Sequence, residues 1–372
     1  MNEEISAIGN RNGMTKSTLV EKYVNLDLRI SAIENMCPGP RLATAEAWVD
    51  HLQIRLNNLQ ESAPSVPQVN GTVQLHNNPS GTSTINVLSN SKSLPNGVHS
   101  NYVDQTTDIA RLALNLSVLE DIHKASSNED FFAKLSQTSL DEMTIKFYEE
   151  VIDHAKDRAK GLLAAFTQLS DLYVEQDGII ASISGGTYLT TYEEATDAEL
   201  ENARDVRDKL GSAKEQWRTC AVLLKASSKS AEPILKMWNE VNEVRLPRDK
   251  IGRILDCRQM IQASLVSLEC AQLALPHIEI KHLSNRQILA VKHANTYLVT
   301  DVADKNRFEH TYKILEKFIE SINKASEWIY ETFNKTLKVD FDKAEATVQA
   351  LSETLREHRV ELFKGKLPRR LP

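Results

Sequence analysis

An all-α fold, drawn out into an elongated multi-helix bundle with heptad segments and a disordered internal linker, is what this sequence predicts. Apolar residues recur at alternating spacings of three and four over most of the 372 residues, the periodicity of one helix face. Outside 179–192, no run alternates at period two as a half-buried strand would. Aromatics are only 6% of the chain, while Leu, Ala, Glu and Lys abound, which suits narrow helical seams better than a thick sandwich core.

The first seam is Leu19, Tyr23, Leu26, Ile30, Ile33 and Cys37. Pro38-Gly39-Pro40 stops it, because proline lacks the amide donor and disfavours helical geometry in the residue before it. A second seam follows at Leu42, Ala45, Val49, Leu52, Leu56 and Leu59. Two heptad helices joined by a short turn predict an antiparallel hairpin over 16–60. Such a unit is too thin to stand alone, and Val24, Leu28, Trp48 and Ile54 lie off its seams, so it is expected to recruit a partner or self-associate.

Residues 61–103 differ in kind. They carry Pro64, Pro67, Pro79 and Pro95 among many Ser, Asn, Thr and Gly, and beyond Glu61 the only charged residue is Lys92. Such a stretch buries too little apolar surface to offset its ordering entropy, which predicts a disordered linker. A multi-helix body over 104–365 and a basic tail over 366–372 complete the organisation.

Within the body, Ile109, Leu112, Leu116 and Leu119 form one face. Asn128 offers an N-cap to a short segment with Phe131, Phe132 and Leu135. Ser139 to Glu142 matches a capping box, so a helix is expected to start there and to end near Asp177-Gly178. In 179–192, Gly185-Gly186 breaks any helix; an ordered turn is the expectation, with a short strand pair as the alternative. Thr196 to Glu199 is a second capping box, and Ser284 to Gln287 a third. Pro247 and Pro276 punctuate the helices around Ile234 to Val244 and Ile254 to Leu275. A long helix runs from Phe308 to Leu337, and a last seam holds Ala344, Val348, Leu351, Leu355, His358 and Leu362.

Chemistry-bearing patterns are weak. Glu150 and His154 are four apart with no second copy, unlike the Glu-x-x-His pairs of di-iron bundles. His277 and His282 flank a turn, no HExxH or phosphate loop occurs, and Ser182 to Gly185 forms no nucleophile elbow. Four cysteines, Cys37, Cys220, Cys257 and Cys270, form no CxxC pair and read as small buried apolar residues. No catalytic, cofactor or metal site is therefore expected. A formal charge of −7 speaks against generic nucleic-acid binding, which needs a basic surface. Seven acids between Glu193 and Asp208 read as a solvated helix start, with docking of a basic partner as the alternative. Arg245, Arg248, Lys250, Arg253 and Arg258 around Pro247 read as a charged turn, with an acidic partner, a microtubule surface or lipid headgroups as the alternatives.

The expected function is non-enzymatic: a helical scaffold or adaptor, in a cytoskeletal or trafficking complex, that binds protein partners through Leu19, Tyr23, Leu26, Ile30, Ile33, Val49, Leu52, Leu56, Leu59, Val348, Leu351 and Leu355. A membrane-tethering or membrane-shaping helical module and a helical subunit of a nuclear regulatory assembly are the alternatives. With no apolar run near the roughly 18 residues a membrane span needs and no apolar signal region, the expected location is the cytoplasm, with the nucleus second. The sequons at Asn70, Asn115 and Asn334 then read as chance matches.

Overall fold

The computed structural model describes residues 16–62 and 105–365, which are helical almost throughout and contain no strand. Glu61 and Ser62 of the predicted linker belong to the second helix, and the rest of the linker and the basic tail lie outside the described residues. Eleven α-helices follow in order: α1 (Lys16–Glu34), α2 (Pro38–Ser62), α3 (Gln105–Asn115), α4 (Ile122–Ser127), α5 (Glu129–Ser184), α6 (Thr191–Ala231), α7 (Ile234–Glu243), α8 (Pro247–Ala274), α9 (Asn285–Asp301), α10 (Lys305–Thr332) and α11 (Lys338–Phe363). A π-helical turn, Phe333–Leu337, joins the last two into one continuous rod.

The backbone of the molecule is α5, whose 56 residues span about 84 Å at 1.5 Å per residue. It is longer at both ends than the capping and glycine signals predict. Ser139 is buried mid-helix, not at a start, because Phe132, Ser136 and Leu140 carry one inward face through it. At the other end, the exposed Gly178 costs about 1 kcal/mol relative to Ala. Burial of Ile179 with Leu172 and Tyr23, with Ile180 and Ile183 packed alongside, outweighs that and carries the helix to Ser184. Gly185, at φ 72°, supplies the left-handed cap, its amide donating to the Ala181 carbonyl at 2.9 Å. The segment from 179 is thus helix followed by a tight turn, and the strand pair is excluded.

α6 likewise starts before its predicted box. Its N-cap is Thr190, whose hydroxyl accepts from the Glu193 amide at 3.1 Å while the Glu193 carboxylate accepts from the Leu189 amide at 2.9 Å. Thr196 is buried inside the helix. The third box is a true start: Ser284 and Gln287 bond each other's backbone at the head of α9.

The predicted N-terminal hairpin is not a hairpin. α1 and α2 do not pack side by side; both lie along α5 and run opposite to it, end to end. Near the start of α1, Lys22 pairs with Glu175, and Asp27 accepts from Gln176. Further on, Gly39 abuts Phe166, Leu42 and Ala45 meet Leu162, and Leu52 and Leu56 join the core that holds Tyr148 and Ile152. The three residues Asn35–Cys37 make a kink too short to reverse two long helices, with Cys37 at φ 46°. Both helices are built into the body, not tethered beside it.

The core divides along the rod. At one end, Val20, Tyr23, Leu26 and Ile30 pack with Leu169, Leu172 and Ile179 of α5 and Leu362 and Phe363 of α11. Val348 and Leu355 of α11 close on Leu200 of α6. At the other end, α3 to α10 form the main core, where Trp238 stacks on Phe308 with ring centroids 4.6 Å apart. Each heptad seam thus meets several helices at once. Between Ile329 and Phe341 the α10–α11 rod buries no residue, and the wider π turn falls in that gap.

Candidate functional site

The seam residues offered as interaction positions are mostly spent within the chain. Tyr23, Leu26, Ile30, Leu52, Leu56, Val348 and Leu355 are buried, Ile33, Val49, Leu59 and Leu351 are half-buried against the same cores, and Leu19 is half-buried. Open apolar surface lies elsewhere.

A groove of about 640 Å³ lies between α2, α5 and α6, closed at one end by the last turn of α8. α5 and α6 do not pack on each other along their lengths; α2 sits between them. α2 turns Leu42, Ala45, Leu52 and Leu56 into the body, which leaves Ala43, Ala47 and His51 on the groove's rim. α6 contributes Ser212, Glu215, Arg218, Thr219, Val222 and Ala226, and α5 contributes Val151, His154 and Arg158. Small side chains on α2 and α6 keep the helices from filling the space. Val222 is 56% exposed, a β-branched apolar side chain on the open side.

One end of the groove is built on charge. Glu215 is 1% exposed and takes bonds from three helices. Arg41 of α2 donates to it from Nε at 2.7 Å, Arg158 of α5 from Nε and Nη2 at 2.9 and 3.0 Å, and Arg218 of α6 from Nη2 at 3.0 Å. Burial pushes the Glu215 carboxyl up, but the guanidiniums of Arg158, Arg218 and Arg41 outweigh it and hold it at about 2. The carboxylate therefore stays ionised and clamps the three helices together. Three cations face one anion, so this end of the groove carries a local excess of two positive charges.

From Val222 onward the walls turn apolar, with Leu223, Ala226, Trp48, Leu273 and Pro276. The groove is thus polar at one end and apolar at the other. Sequence reasoning missed it because Glu215 and Arg218 follow eight other charged residues in 199–214 and resemble a solvated face. A signal existed: Arg207 and Glu215 fall in phase with Leu200, Gly211 and Leu224 on the inward face of α6, where a charge must be paired.

A second polar cluster lies at the far end of the rod. Arg359 donates to Glu193 at 2.9 Å and to Asp197 at 3.3 Å, and His358 bonds the Thr190 hydroxyl at 2.9 Å. Beside it, buried Glu34 pairs with Arg204 at 3.0 Å and accepts from the Tyr173 hydroxyl. Burial pushes the Glu34 carboxyl up against the pull of Arg204 and Arg207. The charged side chains here pair with one another across the helices, which marks the cluster as a fastening of α1, α5, α6 and α11.

All four cysteines are buried and free, and burial pushes their thiols up, Cys37 to about 11 and the other three to about 12. Glu150 and His154 both face solvent on α5. Among the described residues, no three His, Cys, Asp or Glu side chains come together as a metal site would require. Nor is any described helix long and apolar enough to cross a membrane. Comparison with protein-family models, with curated proteins and with solved structures finds no match to this chain.

Proposed function

We propose that this chain is a non-enzymatic helical scaffold or adaptor that holds a protein partner's helix in the α2–α5–α6 groove. One observation carries the reading: a mostly apolar groove of about 640 Å³ stays open along a rod whose other seams are closed on themselves. Helix-in-groove recognition needs such a trough, with small residues on its floor and apolar anchors on its walls. Rigid rods suit this role because a groove between three packed helices, clamped by Glu215, keeps its width.

Site-specific photo-crosslinking tests it. A photoreactive amino acid placed at Val222, in the native cell, is expected to give an adduct with another polypeptide that is missing when the same group replaces Lys209, whose side chain is 75% exposed on the outer face of α6. Identical adducts from both positions, or none from Val222, would sink the proposal.

A further inference from the structure

We infer that the groove selects an acidic amphipathic helix, seating a carboxylate on Arg158 and Arg218 and laying its apolar face along Val222 and Trp48. This rests on the reading of the groove as a helix site and adds the chemistry of its occupant.

Charge gives the first reason. Glu215 is the only acid among the described residues that line the groove, and it is already shared by three arginines. Arg158 uses Nε and Nη2 on it and Arg218 uses Nη2, so each guanidinium keeps a further N–H edge without a protein partner among the described residues. Their side chains are 36% and 42% exposed, within reach of an incoming group. A carboxylate fits a guanidinium edge in planar geometry, whereas a Lys or Arg brought there would meet the excess positive charge. The chain as a whole carries −7, so an acidic segment is repelled by most of the surface and drawn to this patch.

Form gives the second. The described residues hold no strand, so an extended peptide finds no ladder of backbone groups to pair with. A helix satisfies its own backbone. The wall of α6 from Ser212 to Ala226 runs about 21 Å, room for about four helical turns. The rim residues Ala43, Ala47, His51 and Val222 are exposed, so the occupant keeps one side in water, as an amphipathic helix does and a bare acyl chain does not. The polarity along the groove places the occupant's acid near one end and its apolar residues over the turns beyond.

The probe is a displayed library of random 16-residue helical peptides, selected against the full chain and measured by fluorescence polarisation. Selected peptides are expected to carry Glu or Asp near one terminus. Changing that acid to Lys, or making Val222→Arg or Ala47→Arg in the protein, should each weaken binding at least tenfold. Both protein positions are exposed, and unchanged circular-dichroism melting will show that the variants fold. Peptides that need the groove yet are neutral or basic at that end overturn the acidic inference and leave the groove reading standing. Peptides indifferent to both protein variants, or no selected peptide, overturn both. Stabilisation by oleate that Val222→Arg removes, with no peptide selected, assigns the cavity to an acyl carboxylate and overturns the helix.

Discussion

Replacing Glu215 by Gln should expose what the three-arginine clamp contributes to the fold. The carboxyl is held at about 2 against an ordinary 4.5, a depression of about 2.5 pH units. At about 1.4 kcal/mol per unit this corresponds to about 3 kcal/mol of stability near neutrality, on the same scale as removing one partner from other buried ion pairs. Glutamine keeps the shape but leaves Arg41, Arg158 and Arg218 facing one another without a counter-charge. Because the folded-state value is depressed, the contribution is complete well above pH 4.5 and fades as pH falls from 4.5 towards 2. Urea unfolding of the two proteins, followed by far-ultraviolet circular dichroism, should therefore differ by about 3 kcal/mol at pH 7 and by less than half of that near pH 3. A gap below about 0.5 kcal/mol at pH 7, or one that stays constant with pH, would refute the assignment of Glu215 as an ionised clamp.

Four further substitutions separate packing from propensity and charge. A Cβ on Gly211 would lie 2.9 Å from the Cys37 Cβ, so Gly211→Ala should lower stability by about 1–2 kcal/mol. Gly161→Ala, with nothing within 4 Å, should raise it by up to about 1 kcal/mol in the same chemical denaturation assay. Arg258 is fully buried with one bond, to the Ser136 carbonyl, and burial holds its guanidinium down at about 10. Arg258→Met should then stabilise the chain by about 1–3 kcal/mol, and a loss of stability would show that the cation has a partner that matters. Leu355→Ala should cost about 2–4 kcal/mol by opening the contact with Leu200 and Val348. Hydrogen exchange should quicken in α11 and the first half of α6 while Trp238 and its neighbours stay protected, and uniform acceleration would contradict the division of the core.

The amino-acid pattern alone determined that the chain is helical and which side of most helices turns inward. Tyr23, Leu26, Ile30, Leu52, Leu56, Val348 and Leu355 were legible as seam positions, and they are buried. The exposure of Leu28 and Ile54, off the seams, was not, since the hairpin expectation asked for cover over them. Periodicity is a property of one helix, so it encodes a face and not the helix that covers that face. For that reason two adjoining seams suggested a hairpin, whereas the structure lays them end to end along α5. Capping signals misled similarly. Ser139 to Glu142 and Thr196 to Glu199 have the same local chemistry as Ser284 to Gln287, but a cap is worth about 1 kcal/mol, and a continuous buried face on either side overrides it. The Thr190 to Glu193 pair that does start α6 was hidden by the glycine pair before it. The groove was the least legible feature of all. Its charged end joins Arg41, Arg158 and Glu215, residues up to 174 positions apart, and only the packing of three helices brings them within hydrogen-bonding distance.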